Sequence, residues 1–302
     1  MRRGFNMLAV LMVLVMPCAG QLRVESVEKI AESGSVPLIY PTGEYVLVRD
    51  AGDQGLTRID LSTKERLQVT NNNIEGDIAL SDGGTMVTYS KSEYRDHLRY
   101  HTIQSVNLKT GAVRDLDEPA RESYAFRFVG GKMSIAKRNT IRSVRLLNDV
   151  RRVEHEYIVA VEDDNLVLYD GNVRMVLNPN GENTYLWQQL SPDENRIVYV
   201  AVNDKCHTFV YDISSGKTTD LGYYIGAPAW FGNDRIVGQQ DEDDGHQMTA
   251  SRLVTIKADG TEFQILPTPE QKMPLNPSAS KNGKIVFENE GKIYLMEVKS
   301  GE

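Results

Sequence analysis

The densest group of side chains able to do chemistry lies at residues 241–246: Asp241, Glu242, Asp243, Asp244, Gly245 and His246. Carboxylates alone make a hard oxygen site suited to calcium, and carboxylates with imidazole suit zinc or manganese. His97 and His207 stand beside other acidic segments, so His97, His207 and His246 are the candidate ligands for a divalent cation such as calcium, manganese or zinc. They are distant in sequence, and only the fold could bring them together. His101 follows His97 by four residues, too far for joint chelation in an extended chain, and is expected at the surface. The sequence contains no Gly-x-Ser-x-Gly, P-loop, His-Glu-x-x-His or Cys-x-x-Cys. The first reading is therefore a binding surface with no catalytic residue. The alternative is a metal-dependent carbohydrate-active enzyme that uses these loop histidines and carboxylates.

The elements that must position these residues follow from a repeat of about forty residues. Residues 190–195, Leu-Ser-Pro-Asp-Glu-Asn, form a turn before the apolar run 197–202; a polar loop, the strand 208–213, a turn at 214–216 and a short strand at 217–221 follow. The same order of turn and strand returns after Ser81-Asp82-Gly83, Phe231-Gly232-Asn233, Ser280-Lys281-Asn282 and Tyr40-Pro41-Thr42, with a weaker copy over 157–177. Asp, Asn and Gly supply the positive φ angles that tight hairpins need. Runs such as 197–202 and 285–287 are apolar on both faces, and such a strand must lie between two sheets. Stacked four-stranded antiparallel sheets of this repeat length predict an all-β, six-bladed β-propeller. The blades are expected over about 35–71, 77–118, 120–178, 183–222, 226–267 and 274–302. The last lacks its outermost strand, and the spare segment 22–30 would complete it and close the ring.

In that ring, the loops between second and third strands open at one end with the inter-blade connections. They carry Asp50, Asp53, Glu93, Asp96, Glu162, Asp163, Asp164, Asp204, Asp241, Glu242, Asp243, Asp244, Glu288 and Glu290. This predicts an acidic binding face, although hairpins also favour Asp for its turn geometry alone. Tyr223 and Tyr224 are expected as exposed contacts at its mouth, and the candidate binding set is Asp241, Glu242, Asp243, Asp244, His246, Tyr223, Tyr224, Asp163, Asp164 and Asp204. Trp187 and Trp230, at equivalent repeat positions, are expected to pack within the wall. The basic stretch Lys137, Arg138, Arg142, Arg145, Arg151 and Arg152 is either a dock for an acidic partner or a solvated hairpin.

Composition and the first residues limit the setting. The chain has 302 residues, 34 Lys plus Arg against 42 Asp plus Glu, and a net charge of −8, which argues against nucleic acid as a partner. Arg2 and Arg3, an apolar run over 7–16, and Pro17-Cys18-Ala19-Gly20 have the layout of a secretory signal peptide. Cleavage is expected after Gly20, leaving one domain over 21–302 with no transmembrane segment; the alternative is a lipid anchor at Cys18. Losing two arginines and no acid deepens the charge from −8 to −10. Cys206 would be the only remaining cysteine, so no internal disulfide can form.

Ser191-Pro192-Asp193 before an apolar strand, with Ser81-Asp82-Gly83 as a variant, resembles the WD40-like Pro-Asp repeats of TolB-type propellers. The resemblance covers the whole chain after the leader, although one copy alone keeps the full triplet. It implies a six-bladed propeller in a bacterial periplasmic or secreted setting. The reading adopted for this chain is a monomer that binds an unknown protein, peptide or glycan partner of the cell envelope. About ten residues separate Gln21 from the first blade, so the α/β domain that precedes the propeller in TolB is not expected in this sequence, and TolB's role is not implied.

Overall fold

The computed structural model describes residues 20–122, 125–137, 140–202, 206–268 and 270–301. The first strand, β1 (Leu22–Ala31), is followed by β2 (Ser35–Ile39), β3 (Tyr45–Arg49), β4 (Gln54–Asp60) and the long β5 (Arg66–Leu80). β5 then pairs with β6 (Met86–Arg95), which leads to β7 (Leu98–Asn107) and β8 (Val113–Asp115). β5 thus ends one four-stranded sheet and begins the next, so the two run together as a seven-stranded sheet. Two three-stranded sheets follow, β9 (Ala125–Val129) to β11 (Thr140–Arg145) through β10 (Lys132–Lys137), and β12 (Tyr157–Glu162) to β14 (Val173–Val176) through β13 (Asn165–Asp170). The next sheet holds β15 (Thr184–Leu190), β16 (Arg196–Val202), β17 (Cys206–Asp212) and β18 (Thr218–Asp220). After it come β19 (Gly226–Phe231), β20 (Arg235–Asp243), β21 (Met248–Lys257) and β22 (Gln264–Leu266). The last sheet is β23 (Pro274–Ala279), β24 (Lys284–Asn289) and β25 (Lys292–Ser300), completed by β1.

The expected closure is present: β1 pairs antiparallel with β25 from Leu22↔Ser300 to Ala31↔Ile293. Gln264 clamps the start of β1, accepting from the Leu22 N–H at 2.8 Å and donating to the Leu22 carbonyl at 2.6 Å.

The blade count differs from expectation. Where one irregular blade was read over 120–178, two sheets stand face to face, with Ala136 on one and Ile158, Ala160, Val167 and Tyr169 on the other forming a buried cluster between them. Among the described residues seven blades, two of them joined through β5, enclose seven buried apolar clusters, one at each interface. The described residues thus form seven blades. The short blades escaped the repeat because each lacks one strand, so together they span little more than one ordinary unit.

Strand direction explains why they come as a pair. A sheet of three strands leaves the chain at the wrong end of the ring for the next blade. Residue 151 is still at that end, its N–H bonded to the Gly130 carbonyl at 2.9 Å, and β12 therefore starts there, antiparallel to β9. A second three-stranded sheet restores the direction. The β12–β13 turn at Asp163 and Asp164 consequently opens at the same end as the loops between second and third strands elsewhere, as the sequence reading expects.

Each second strand is buried on both faces because it lies between two blades. Val46, Leu47 and Val48, the run from Ile197 to Ala201, and Ile285, Val286 and Phe287 are all buried. Each large aliphatic side chain so buried contributes about 1.5–3 kcal/mol before chain entropy is counted.

Candidate functional site

The inner edge of the ring is formed by β2, the second half of β5, β9, β12, β15, β19 and β23. β23 touches β2 and β19, β15 touches β12 and β19, and β9 touches β5 and β12. Five of these strands carry a β-bulge at an equivalent position, marked by register shifts at 35/38, 75/78, 186/189, 226/229 and 275/278. The bulged residues have positive φ: Val36 42°, Gly76 66°, Trp187 51°, Ala227 43° and Asn276 51°. A left-handed conformation costs an L-residue roughly 1–2 kcal/mol, and bulges cluster where a strand must re-aim a side chain.

Neighbouring blades hold these bulges in place. On three consecutive second strands, one equivalent residue grips the bulge of the next blade. Gln239 accepts from the Asn276 N–H at 2.7 Å, Glu288 accepts from the Val36 N–H at 3.2 Å, and Arg49 donates to the Gly76 carbonyl. Asp241 orients Gln239, accepting from its Nε2 at 2.9 Å. Asp77, beside the Gly76 bulge, has its carboxyl pKa pushed up by desolvation, opposed by the Arg49 charge. The equivalent residue of the fifth blade is Val200, which has no polar group, and the clasp is therefore missing at the Ala227 bulge. The sequence signal for the bulges was Pro37, Pro228 and Pro277, each following a bulged residue, since proline inside a sheet is confined to edges, strand starts and bulges.

At the unclasped junction the aromatic residues depart from expectation. Trp230 packs in the wall, 7% exposed, its Nε1 donating to the Gln189 carbonyl at 3.1 Å. Trp187, expected to do the same, is 44% exposed, because the bulge turns it out of the interface. Its ring lies 6.2 Å from that of Tyr224. The Tyr224 hydroxyl pKa is pushed up to about 12 by burial and then by the Asp241 charge. Tyr223 is exposed and stacks on Phe263 at 4.2 Å.

The acidic residues fall into structural and unengaged groups. Asp244 caps its own turn, accepting from the His246 N–H at 2.9 Å and the Gln247 N–H at 3.0 Å, which lowers its carboxyl pKa. Asp243 accepts from the Gly245 N–H at 2.8 Å, and Glu242 pairs with Arg252 at 3.2 Å. Glu162 pairs with Arg174 at 2.9 Å. Asp163 and Asp164 take the positive φ positions of their hairpin. Asp204 lies outside the described residues.

The histidines are not brought together. His97 is at the exposed β6–β7 turn, His207 on β17 contacts Asp220 at 3.0 Å, and His246 is in the β20–β21 turn, on three different blades. Among the described residues no group of three His, Cys, Asp or Glu could hold a metal. His101, expected at the surface, is 6% exposed, 3.4 Å from Ser90 Oγ; the β6–β7 hairpin continues past it and covers it. Among the basic residues, Arg142 pairs with Asp117 at 3.2 Å and Arg151 with Asp82 at 2.5 Å, ties that join the third blade and the segment after it to the second; Arg138 lies outside the described residues. Between the inner strands, a cavity of about 260 Å³ is lined by Leu80, Phe126, Phe128, Ile158 and Leu190, with Asp82 and Arg127.

Comparison of the whole fold gives concordant neighbours. A TolB from Acinetobacter baumannii aligns at 15% identity and TM-score 0.57, covering 84% of this chain, which spans 57% of that one. An Agrobacterium tumefaciens protein assigned as a TolB aligns at 13% identity and TM-score 0.58, covering 93% of this chain and 99% of that one. The fold is that of the TolB-like and WD40 propellers. The WD40 propeller domain of Doa1 aligns at 10% identity and TM-score 0.60, covering 91% of this chain and 97% of that domain. No family model matches this propeller, and no curated protein matches it by sequence. Among its described residues no helix is long and apolar enough to cross a membrane.

Proposed function

We propose that this chain is a non-catalytic binding scaffold, exported to the periplasm or beyond by its leader, that recognises a protein, peptide or glycan partner across an acidic end of the propeller. The observation that carries the reading is the shared placement of the second-to-third strand loops and the β12–β13 turn. Asp50 and Asp53, Asp96, Asp163 and Asp164, Asp243 and Asp244, and Glu290 come from five different blades, and all belong to the end where the bulged inner strands begin. Several of these acids also serve their own turns, but their charges gathered at one end together steer a positively charged partner. TolB-like and WD40 neighbours support a scaffold, since this fold presents loops from a rigid ring.

The test is pull-down and cross-linking from the native envelope with a variant carrying Glu242→Gln, Asp243→Asn and Asp244→Asn. Asparagine can accept the same turn hydrogen bonds, so the fold is retained while charge is removed. Loss of a specific partner supports the reading, and an unchanged partner list refutes it. The metal-dependent enzyme reading requires stoichiometric metal in protein purified without added ion, lost on replacing His97, His207 and His246. The separation of those histidines on three blades gives it no support.

A further inference from the structure

The unclasped junction between the fifth and sixth blades places an exposed indole, a tyrosine and a carboxylate together. Trp187 is 44% exposed on the inner strand and 6.2 Å from Tyr224. A β-carbon built on Gly226 would lie 3.0 Å from the Tyr224 hydroxyl and 3.4 Å from Asp241 Oδ2, so hydroxyl and carboxylate meet over that glycine. Among the described residues Asp241 pairs with no cation, and its side-chain hydrogen bonds come from the neutral Gln239. Glu242 and Glu162, by contrast, are each matched to an arginine. On three other second strands a polar residue clasps the next blade's bulge, whereas the buried Val200 has no polar group to do so.

We propose that Trp187, Tyr224 and Asp241 form a recognition pocket for a lysine or arginine side chain of a partner polypeptide. An indole face attracts cations through its quadrupole more strongly than other aromatic rings do, and an unpaired carboxylate beside it supplies the charge a guanidinium or ammonium needs. The cation enters against the exposed indole and bonds Asp241, while its aliphatic stem covers Trp187. This rests on the scaffold reading and narrows its partner to a polypeptide with a basic anchor.

The test is titration of the purified chain with the blocked tripeptides acetyl-Gly-Arg-Gly-amide and acetyl-Gly-Lys-Gly-amide, and with the neutral acetyl-Gly-Gln-Gly-amide. Calorimetry is read together with tryptophan fluorescence, and Trp187 is the exposed one of two tryptophans. Saturable binding of a basic peptide, absent for the neutral one and weakened about tenfold by Asp241→Asn, is the expected result. Raising salt from about 0.05 M to about 0.5 M weakens it further. Trp187→Ala, at an exposed site, removes binding with circular dichroism unchanged, which separates loss of the pocket from misfolding. Equal binding of the neutral peptide, indifference to Asp241→Asn, or no binding of either basic peptide overturns the proposal. A native partner lost with the Glu242, Asp243 and Asp244 variant yet retained by Trp187→Ala would overturn this pocket and leave the scaffold reading standing.

Discussion

Ring closure by β1 can be tested at a single side chain. Leu22 begins the strand, is 7% exposed, and packs in the cluster formed by Val237, Leu253, Ile285, Phe287, Met296 and Val298. Leu22→Ala removes three carbons from a well-filled site that draws on two blades. Loss of transfer energy and the residual cavity together cost about 2–5 kcal/mol in a rigid core. At a strand terminus the upper end is capped, because β1 can detach locally at less cost than global unfolding. We therefore expect about 2–3 kcal/mol, which for a domain of this size lowers Tm by roughly 4–12 °C. Detachment also bares the edge of β25, whose unpaired backbone groups can template pairing with another chain. Calorimetric melts of Leu22→Ala and of the control Lys29→Ala, an exposed position on the same strand, give the comparison, and size-exclusion chromatography reports self-association. A Tm within about 1 °C of native for Leu22→Ala, with no new oligomer, would falsify the claim that β1 secures the ring.

Three further outcomes are expected. Gly238→Ala should cost about 1–3 kcal/mol in denaturant melts, because the added carbon would lie 2.1 Å from Ile225 Cγ2 and 3.0 Å from the Gly226 carbonyl, and backbone cannot yield as a flexible side chain would. Glu288→Ala removes the acceptor of the exposed Val36 N–H and should lower stability by about 0.5–1 kcal/mol, whereas Glu288→Gln, which keeps an acceptor, should recover most of it. His155 donates to Asp170 across 2.8 Å, and its imidazole pKa is raised above 6.5 chiefly by that bond. The stabilisation from this pair is full below pH 6.5 and lost as pH rises through the folded value; a ring titration by NMR should show a midpoint above 6.5 that falls in Asp170→Asn.

Much of the architecture was legible because its causes are local. Strands buried on both faces read as unbroken apolar runs, the Asp, Asn and Gly turns fix hairpin positions, and the orphan segment 22–30 matched the missing strand of the last blade. The blade count was not legible in the same way. Residues 125–145 and 157–176 fold as separate sheets because of how their strands run and stack, and two three-stranded blades imitate one long irregular blade to any reading based on period. For the candidate site, the sequence identified Asp241 and Tyr224 by residue type and repeat position. It misassigned Trp187 because an inner-strand tryptophan ordinarily packs in the wall. Whether it packs or faces water is set by a bulge, a register shift against β16 that changes the direction of the side chain. It likewise grouped His97, His207 and His246, which the ring keeps apart on three rigid blades. Composition and spacing determine which residues can meet a hairpin or a core; which of them meet one another depends on strand direction and stacking, and those exist only once the ring has closed.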